Sequence, residues 1–63
     1  MIVNGSEINT GATSLVKLLE DLGIRPDTVA IELNGQIAKR DTWKDVLLKE
    51  ADKIEIIKFV GGG

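Results

Sequence analysis

The residues best placed to do chemistry are three consecutive glycines, Gly61, Gly62 and Gly63, which follow a segment with strand character. Glycine loses more conformational freedom on ordering than any other residue, so a run of three weakens a fold. A bare glycine tail can instead enter the narrow active site of another protein and present the carboxylate of Gly63. The alternative is a frayed end without a role, because chain ends are commonly disordered.

The composition restricts what the side chains can do. The 63 residues contain no cysteine and no histidine, which rules out disulfides, thiolate metal sites and imidazole acid–base catalysis. The carboxylates have no imidazole or thiolate to join them in a transition-metal site. The sequence therefore predicts a protein that is not an enzyme and that binds no metal or cofactor.

The charge pattern argues against two classes of partner. The net charge is −2, and both signs are interspersed along the chain. Nucleic acid or an anionic membrane would call for a basic stripe. No apolar run is long enough to span a bilayer, and no signal-peptide pattern opens the sequence. We therefore expect a cytoplasmic protein.

Two Asn-Gly dipeptides predict tight hairpins, since this pair suits the positive φ angles of the turn. The first, Asn4-Gly5, would join strands at residues 1–3 and 7–9. The second, Asn34-Gly35, would join a strand at residues 29–33 to one at 36–38.

One amphipathic helix is expected between the hairpins. Its apolar face is formed by leucines at i, i+3, i+4 and i+7, namely Leu15, Leu18, Leu19 and Leu22. Thr13 is the expected N-cap, and Gly23 with Pro26 beyond it forms a stop signal.

The last third of the chain predicts a short helical turn and a final strand. Asp41 would cap the turn, which carries Trp43, Val46 and Leu47. The strand at residues 53–60 would direct Ile54 and Ile56 inward.

Hairpin, helix, strand pair, short helix and last strand define an α+β domain, with the helices on one face of a mixed sheet. With the first and last strands adjacent, this is the β-grasp, or ubiquitin-like, arrangement. We expect one domain over residues 1–60 and a flexible glycine tail over 61–63.

The same alternation predicts an apolar patch on the face without a helix. The residues expected there are Ile2, Ile37, Ile57 and Phe59. Such a patch on a small domain usually marks a partner surface. The alternative is a set of ordinary scattered surface side chains, or a one-residue error in register that inverts every assignment.

Other polar residues have simpler interpretations. Arg40, Asp41 and Trp43 are candidates for partner contact, but a turn cap at Asp41 and a core-edge position for Trp43 explain them better. Glu32 and Glu55 resemble a carboxylate pair, yet nothing beside them would build an active site, so we expect solvated strand residues.

These segments together resemble the ThiS family, the sulfur carriers of thiamin biosynthesis. The resemblance rests on Ala-Ile-Glu-Leu-Asn-Gly-Gln-Ile at 30–37, Arg-Asp-Thr-Trp at 40–43, Asp-Lys-Ile-Glu-Ile at 52–56 and Val-Gly-Gly-Gly at 60–63. It covers nearly the whole chain. Ala51 departs from the glycine more usual there, and the tail has three glycines where two would suffice.

The resemblance implies a specific chemistry for Gly63. An adenylating enzyme similar to the ubiquitin-activating type would use ATP and Mg²⁺ to activate its carboxylate. Sulfur from a cysteine desulfurase or related donor would then give a thiocarboxylate, and thiazole synthase would receive the sulfur. Gly61 and Gly62 would thread the tail into these enzymes.

Three alternatives remain open at this point. A sulfur carrier for molybdopterin synthesis or tRNA thiolation would use the same terminal chemistry. A ubiquitin-like modifier would join its terminus to lysines. A non-covalent β-grasp binding module would have no use for the tail.

Overall fold

Five short strands form one mixed sheet in the computed structural model, which describes residues 1–59. The strands are β1 (Ile2–Val3), β2 (Ser6–Glu7), β3 (Val29–Leu33), β4 (Gln36–Ile37) and β5 (Lys53–Lys58). Their order across the sheet is β2-β1-β5-β3-β4, with β1 parallel to β5 and the other pairs antiparallel. The predicted α+β class and β-grasp arrangement are confirmed.

Both Asn-Gly dipeptides form the predicted hairpins. Asn4 and Asn34 have φ angles of 51° and 53°, and Gly5 and Gly35 have 82° and 85°. Positive φ at both central residues matches the right-handed twist of the flanking strands. The second turn pairs Leu33 with Gln36, the register that places successive residues of β3 on opposite faces. The returning strands are shorter than predicted, since β2 ends at Glu7 and β4 at Ile37.

The helix α1 (Leu15–Leu22) buries most of its predicted apolar face. Leu15, Leu18 and Leu19 are fully buried, whereas Leu22, in the last turn, remains 42% exposed. Gly23 ends the helix in the left-handed conformation, and its N–H donates to Glu20 O at 3.1 Å. The stop signal is therefore confirmed.

The predicted N-cap at Thr13 is wrong by one residue. Ser14 is the cap, and its hydroxyl accepts a hydrogen bond from the backbone N–H of Lys17 at 3.1 Å. The carbonyl of Thr13 instead accepts from the N–H of Leu48 at 2.9 Å. This contact with a distant loop fixes the chain just before the helix, so the next residue takes the capping position.

Replacing Ser14 with alanine should lower the free energy of unfolding by about 1 kcal/mol, because the N–H of Lys17 loses its acceptor. Thr13→Ala is the matched control and should change stability by less than about 0.5 kcal/mol. Urea denaturation followed by circular dichroism measures both. A larger loss for Thr13→Ala than for Ser14→Ala would contradict this assignment.

The core lies between α1 and one face of the sheet. The sheet contributes Val3, Val29, Ile31 and Ile54, all buried, and Leu33 and Ile56 pack against them. The register explains this layer, since Ile31 lies opposite Ile56 and Leu33 opposite Ile54. Ile54 and Ile56 thus point inward, as predicted.

The segment between β4 and β5 differs from the predicted capped turn. A 3-10 helix at Arg40–Thr42 follows Lys39, and no side chain caps it, so the cap expected at Asp41 is absent. Leu47 is 74% exposed, and its neighbour Leu48 is buried instead. The N–H of Leu48 bonds to Thr13 O, which holds this segment next to the start of α1. A second 3-10 helix, Pro26–Thr28, leads into β3.

β5 ends earlier than predicted, at Lys58 rather than residue 60. Phe59 still donates its N–H to Thr28 O at 3.1 Å, so the chain follows β3 one residue further. Residues 60–63, including the predicted glycine tail, lie outside the described residues. Within residues 1–59, α1 and the two 3-10 helices are all too short and too polar to cross a bilayer.

Candidate partner surface

One face of the sheet carries no helix, and we call it the open face. The strand registers place the following residues on it: Ile2, Glu7, Ala30, Glu32, Ile37, Lys53, Glu55 and Ile57. The predicted outward orientation of Ile2, Ile37 and Ile57 is therefore confirmed. Phe59 follows Ile57 by two residues, so the alternation of the chain directs it the same way.

The predicted patch residues differ in exposure and are not all adjacent. Ile37, Phe59 and Ile57 are 67%, 56% and 45% exposed, whereas Ile2 is half-buried. Ile37 and Ile57 lie on the two strands that flank β3, about 12 Å apart from strand and residue spacings. Ile2 lies beside Lys53, four residues before Ile57 on β5. The structure thus places Ile57 and Phe59 together near the end of β5 and Ile37 across β3 from them. Ile2 lies at the opposite end of the sheet.

Two carboxylates lie at the middle of the open face. Glu32 of β3 is directly opposite Glu55 of β5, and Ile37 is opposite Glu32 on the other side. Like charges directly opposite on neighbouring strands destabilise a sheet by roughly 0.2–1 kcal/mol. The sequence suggested a carboxylate pair, and the pairing of β3 with β5 places the two glutamates directly opposite each other.

Asparagine side chains fasten β5 near both ends. Asn4 acts as an extra residue of β1: its Oδ1 accepts from the N–H of Ile56 at 2.7 Å, and its Nδ2 donates to Ile56 O at 3.3 Å. At the start of the strand, Asn34 Oδ1 accepts from the N–H of Lys53 at 2.8 Å. Each turn residue thereby adds hydrogen bonds to β5 beyond the last paired residue of the neighbouring strand.

Asn34 also holds the carboxylate of Asp52. Its Nδ2 donates to Asp52 Oδ1 at 3.0 Å, and the N–H of Lys49 donates to Oδ2 at 2.8 Å. These donors, Asn34 first, lower the pKa of the Asp52 carboxyl. Because the folded pKa is the lower one, the stabilisation is present above the ordinary value of roughly 3.9. It is lost as the pH falls through the lowered pKa.

The Arg40–Trp43 segment has a structural role in the chain itself. Trp43 is 2% exposed, and its Nε1 donates to Ala38 O at 2.8 Å. The guanidinium of Arg40 lies 4.7 Å from the centre of the Trp43 ring and donates to Val29 O at 3.0 Å and to Pro26 O. Arg40 thus supplies a hydrogen-bond donor to the edge of β3 at Val29, which the two-residue strand β4 does not reach.

A polar cleft of about 550 Å³ lies at the opposite end of the domain from the end of β5. It is lined by residues 7–12 and 48–50 together with Met1. Residues 1–59 contain no group of three acidic residues, histidines or cysteines that could hold a metal ion.

Comparison with known proteins gives a consistent result. A family model described as the ThiS family matches residues 2–63. A crystal structure of a thiamine biosynthesis protein, ThiS, from Geobacter metallireducens superposes with a TM-score of 0.82 at 32% sequence identity. The alignment covers 98% of this chain and 96% of that one.

Two longer proteins also contain a similar region. The chain is 44% identical over 62 residues to a thiazole synthase of Magnetococcus marinus and 38% identical over 64 residues to one of Paramagnetospirillum magneticum. These alignments cover 97% and 100% of this chain but only 19% and 20% of those proteins. The chain therefore spans about a fifth of the length of these two relatives.

Proposed function

Because the chain belongs to the ThiS family, we propose that it is a sulfur carrier for thiamin biosynthesis that carries sulfur on the carboxyl group of Gly63. The observation that supports this most is the family match, which extends over the domain and through the glycine run. The similar fold of the Geobacter metallireducens protein, named for thiamine biosynthesis, supports the same pathway.

Gly63 is the proposed site because this chain offers no other group suited to carrying sulfur. The sequence has no cysteine, so a persulfide cannot form on a side chain. A carboxylate becomes an acyl donor only when its oxygen is converted into a good leaving group. Attack of the Gly63 carboxylate on the α-phosphorus of ATP forms an acyl-adenylate and releases pyrophosphate.

Sulfur then replaces the adenylate. Hydrosulfide displaces AMP directly and leaves a thiocarboxylate. A persulfide donor, such as a cysteine desulfurase, reaches the same product through an acyl disulfide that a thiol reduces. The chain is a co-substrate in these steps and not an enzyme.

The adenylating enzyme would bind ATP and Mg²⁺, since this chain has no phosphate-binding loop. Gly5, Gly11, Gly23 and Gly35 are too dispersed for one. Ordering the tail in that enzyme's active site costs about 1–2 kcal/mol of backbone entropy per residue. Contacts made by Ile37, Ile57 and Phe59 on the open face, with a smaller share from Ile2, would offset this cost.

Thiazole synthase is the proposed recipient of the sulfur. Two proteins of that name contain a region similar to this chain. A carrier region joined to its recipient in one polypeptide is consistent with direct transfer between them.

The proposal is tested by incubating the purified chain with ATP, Mg²⁺, the adenylating enzyme and a sulfur source. Intact-mass spectrometry should show one sulfur replacing one oxygen, and fragmentation should place it on Gly63. Omitting ATP is the control and should leave the mass unchanged. An unchanged mass in the complete reaction would contradict the proposal, and adducts on lysines of other proteins would indicate a modifier instead.

A further inference from the structure

The pair of Glu32 and Glu55 has no cation of its own in the described part of the chain. The ion pairs among residues 1–59 join Lys17 to Glu20 and Asp21, and Arg25 to Asp27. Lys53 follows the same face of β5, but its ammonium is not within 4.0 Å of either carboxylate. The two glutamates are therefore opposed on neighbouring strands, and neither has an ion-pair partner within residues 1–59.

Apolar side chains border this pair. Ile37 is directly across from Glu32, and Ile57 is two residues along the strand from Glu55, opposite Ala30. Ile37 and Ile57 are both well exposed in the free chain. An acidic centre bordered by exposed apolar groups is the arrangement expected of a desolvated contact with a basic side chain.

The charges of the open face determine which partner fits. The open face carries three carboxylates, on Glu7, Glu32 and Glu55, and one ammonium, on Lys53. A second copy of this chain, docked face to face around a two-fold axis, would bring like charges together. An anionic surface would be repelled in the same way. The face therefore fits a partner that presents a cation.

We propose that the open face docks the adenylating enzyme through an arginine of that enzyme, which inserts between Glu32 and Glu55 while Ile37 and Ile57 exclude water around it. A guanidinium suits this position because its fan of N–H donors can bind both carboxylates at once. The open face leads along β5 towards residues 60–63, so an enzyme that binds the tail lies next to it. This docking depends on the proposed sulfur-carrier function, and it requires an arginine on the surface of the adenylating enzyme.

The test uses neutral variants of nearly the same shape, Glu32→Gln, Glu55→Gln and the double variant, in the loading reaction with the adenylating enzyme. The KM for the carrier should rise by roughly tenfold or more in the double variant, because the inserted cation loses its charged acceptors. The KM of the unmodified chain should also rise with salt, and this dependence should be weaker in the variants.

The same substitutions should weaken binding to the enzyme without lowering the stability of the fold. Removing one of two opposed like charges relieves repulsion, so the Tm of each variant should equal or exceed that of the unmodified chain. Glu20→Gln, on the helix and away from the open face, is the matched control and should leave the KM unchanged. A general effect of net charge would raise the KM of this control as well, and that result would overturn the proposal.

Failure of the docking proposal can be distinguished from failure of the function. If the unmodified chain gains no sulfur, the sulfur-carrier function itself is wrong. If the unmodified chain is loaded and the double variant retains the same KM and salt dependence, the carrier function stands and the docking by an arginine is wrong.

Discussion

Removal of Gly62 and Gly63 is expected to abolish sulfur loading while the domain stays folded. The shortened chain would end on the carboxylate of Gly61, about 7 Å short of its original reach. Adenylation requires the carboxylate to contact the α-phosphorus of ATP, so a displacement of this size prevents in-line attack. Intact-mass spectrometry of the complete loading reaction measures the effect.

The fold of the shortened chain must be checked separately. Among residues 1–59, the buried core residues lie between Val3 and Ile54, and Met1 and Ile56 pack against them. Circular dichroism and the Tm should therefore match those of the full chain. Loading that survives the deletion would refute the proposed site. Loss of the fold would instead assign a structural role to the glycines.

Trp43→Ala should lower the free energy of unfolding by about 3–5 kcal/mol. The indole is 2% exposed, its Nε1–H bonds to Ala38 O, and the Arg40 guanidinium packs against its ring. A domain of 63 residues has a total stability of roughly 3–9 kcal/mol. The loss is comparable with this total, so the variant should unfold at a much lower urea concentration than the unmodified chain.

Trp43→Phe is the matched control. It keeps an aromatic ring for Arg40 and the core but loses the hydrogen bond to Ala38 O, so it should be destabilised by less than Trp43→Ala. Trp43 is the only tryptophan in the chain, so urea denaturation must be followed by circular dichroism rather than by fluorescence. A denaturation midpoint unchanged by Trp43→Ala would show that the ring does not support the core.

Features of the fold that depend on neighbouring residues could be predicted from the sequence. The Asn34-Gly35 turn has the backbone angles that the dipeptide favours, and it fixes Glu32 opposite Ile37. The helix stop at Gly23 likewise follows from a residue that adopts positive φ without strain. The inward orientation of Ile54 follows from strand alternation.

Features that depend on distant residues could not be predicted. Thr13 and Ser14 are both good caps, and the choice is set by a hydrogen bond from Leu48 to Thr13 O. The burial of Leu48 instead of Leu47 likewise belongs to a segment that this bond holds next to the helix. The opposition of Glu32 and Glu55 required the strand order, because 22 intervening positions separate the two residues in a chain without a periodic signal between β4 and β5.

The position of β5 has a mechanical consequence. This strand lies in the middle of the sheet, with β1 on one side and β3 on the other, and Asn4 and Asn34 add further bonds to it. Force applied to the chain beyond Phe59 is therefore shared among many hydrogen bonds at once, in shear, instead of peeling an edge strand away one bond at a time. If the proposed adenylating enzyme binds residues 60–63, β5 would hold the domain in place while the enzyme pulls on them.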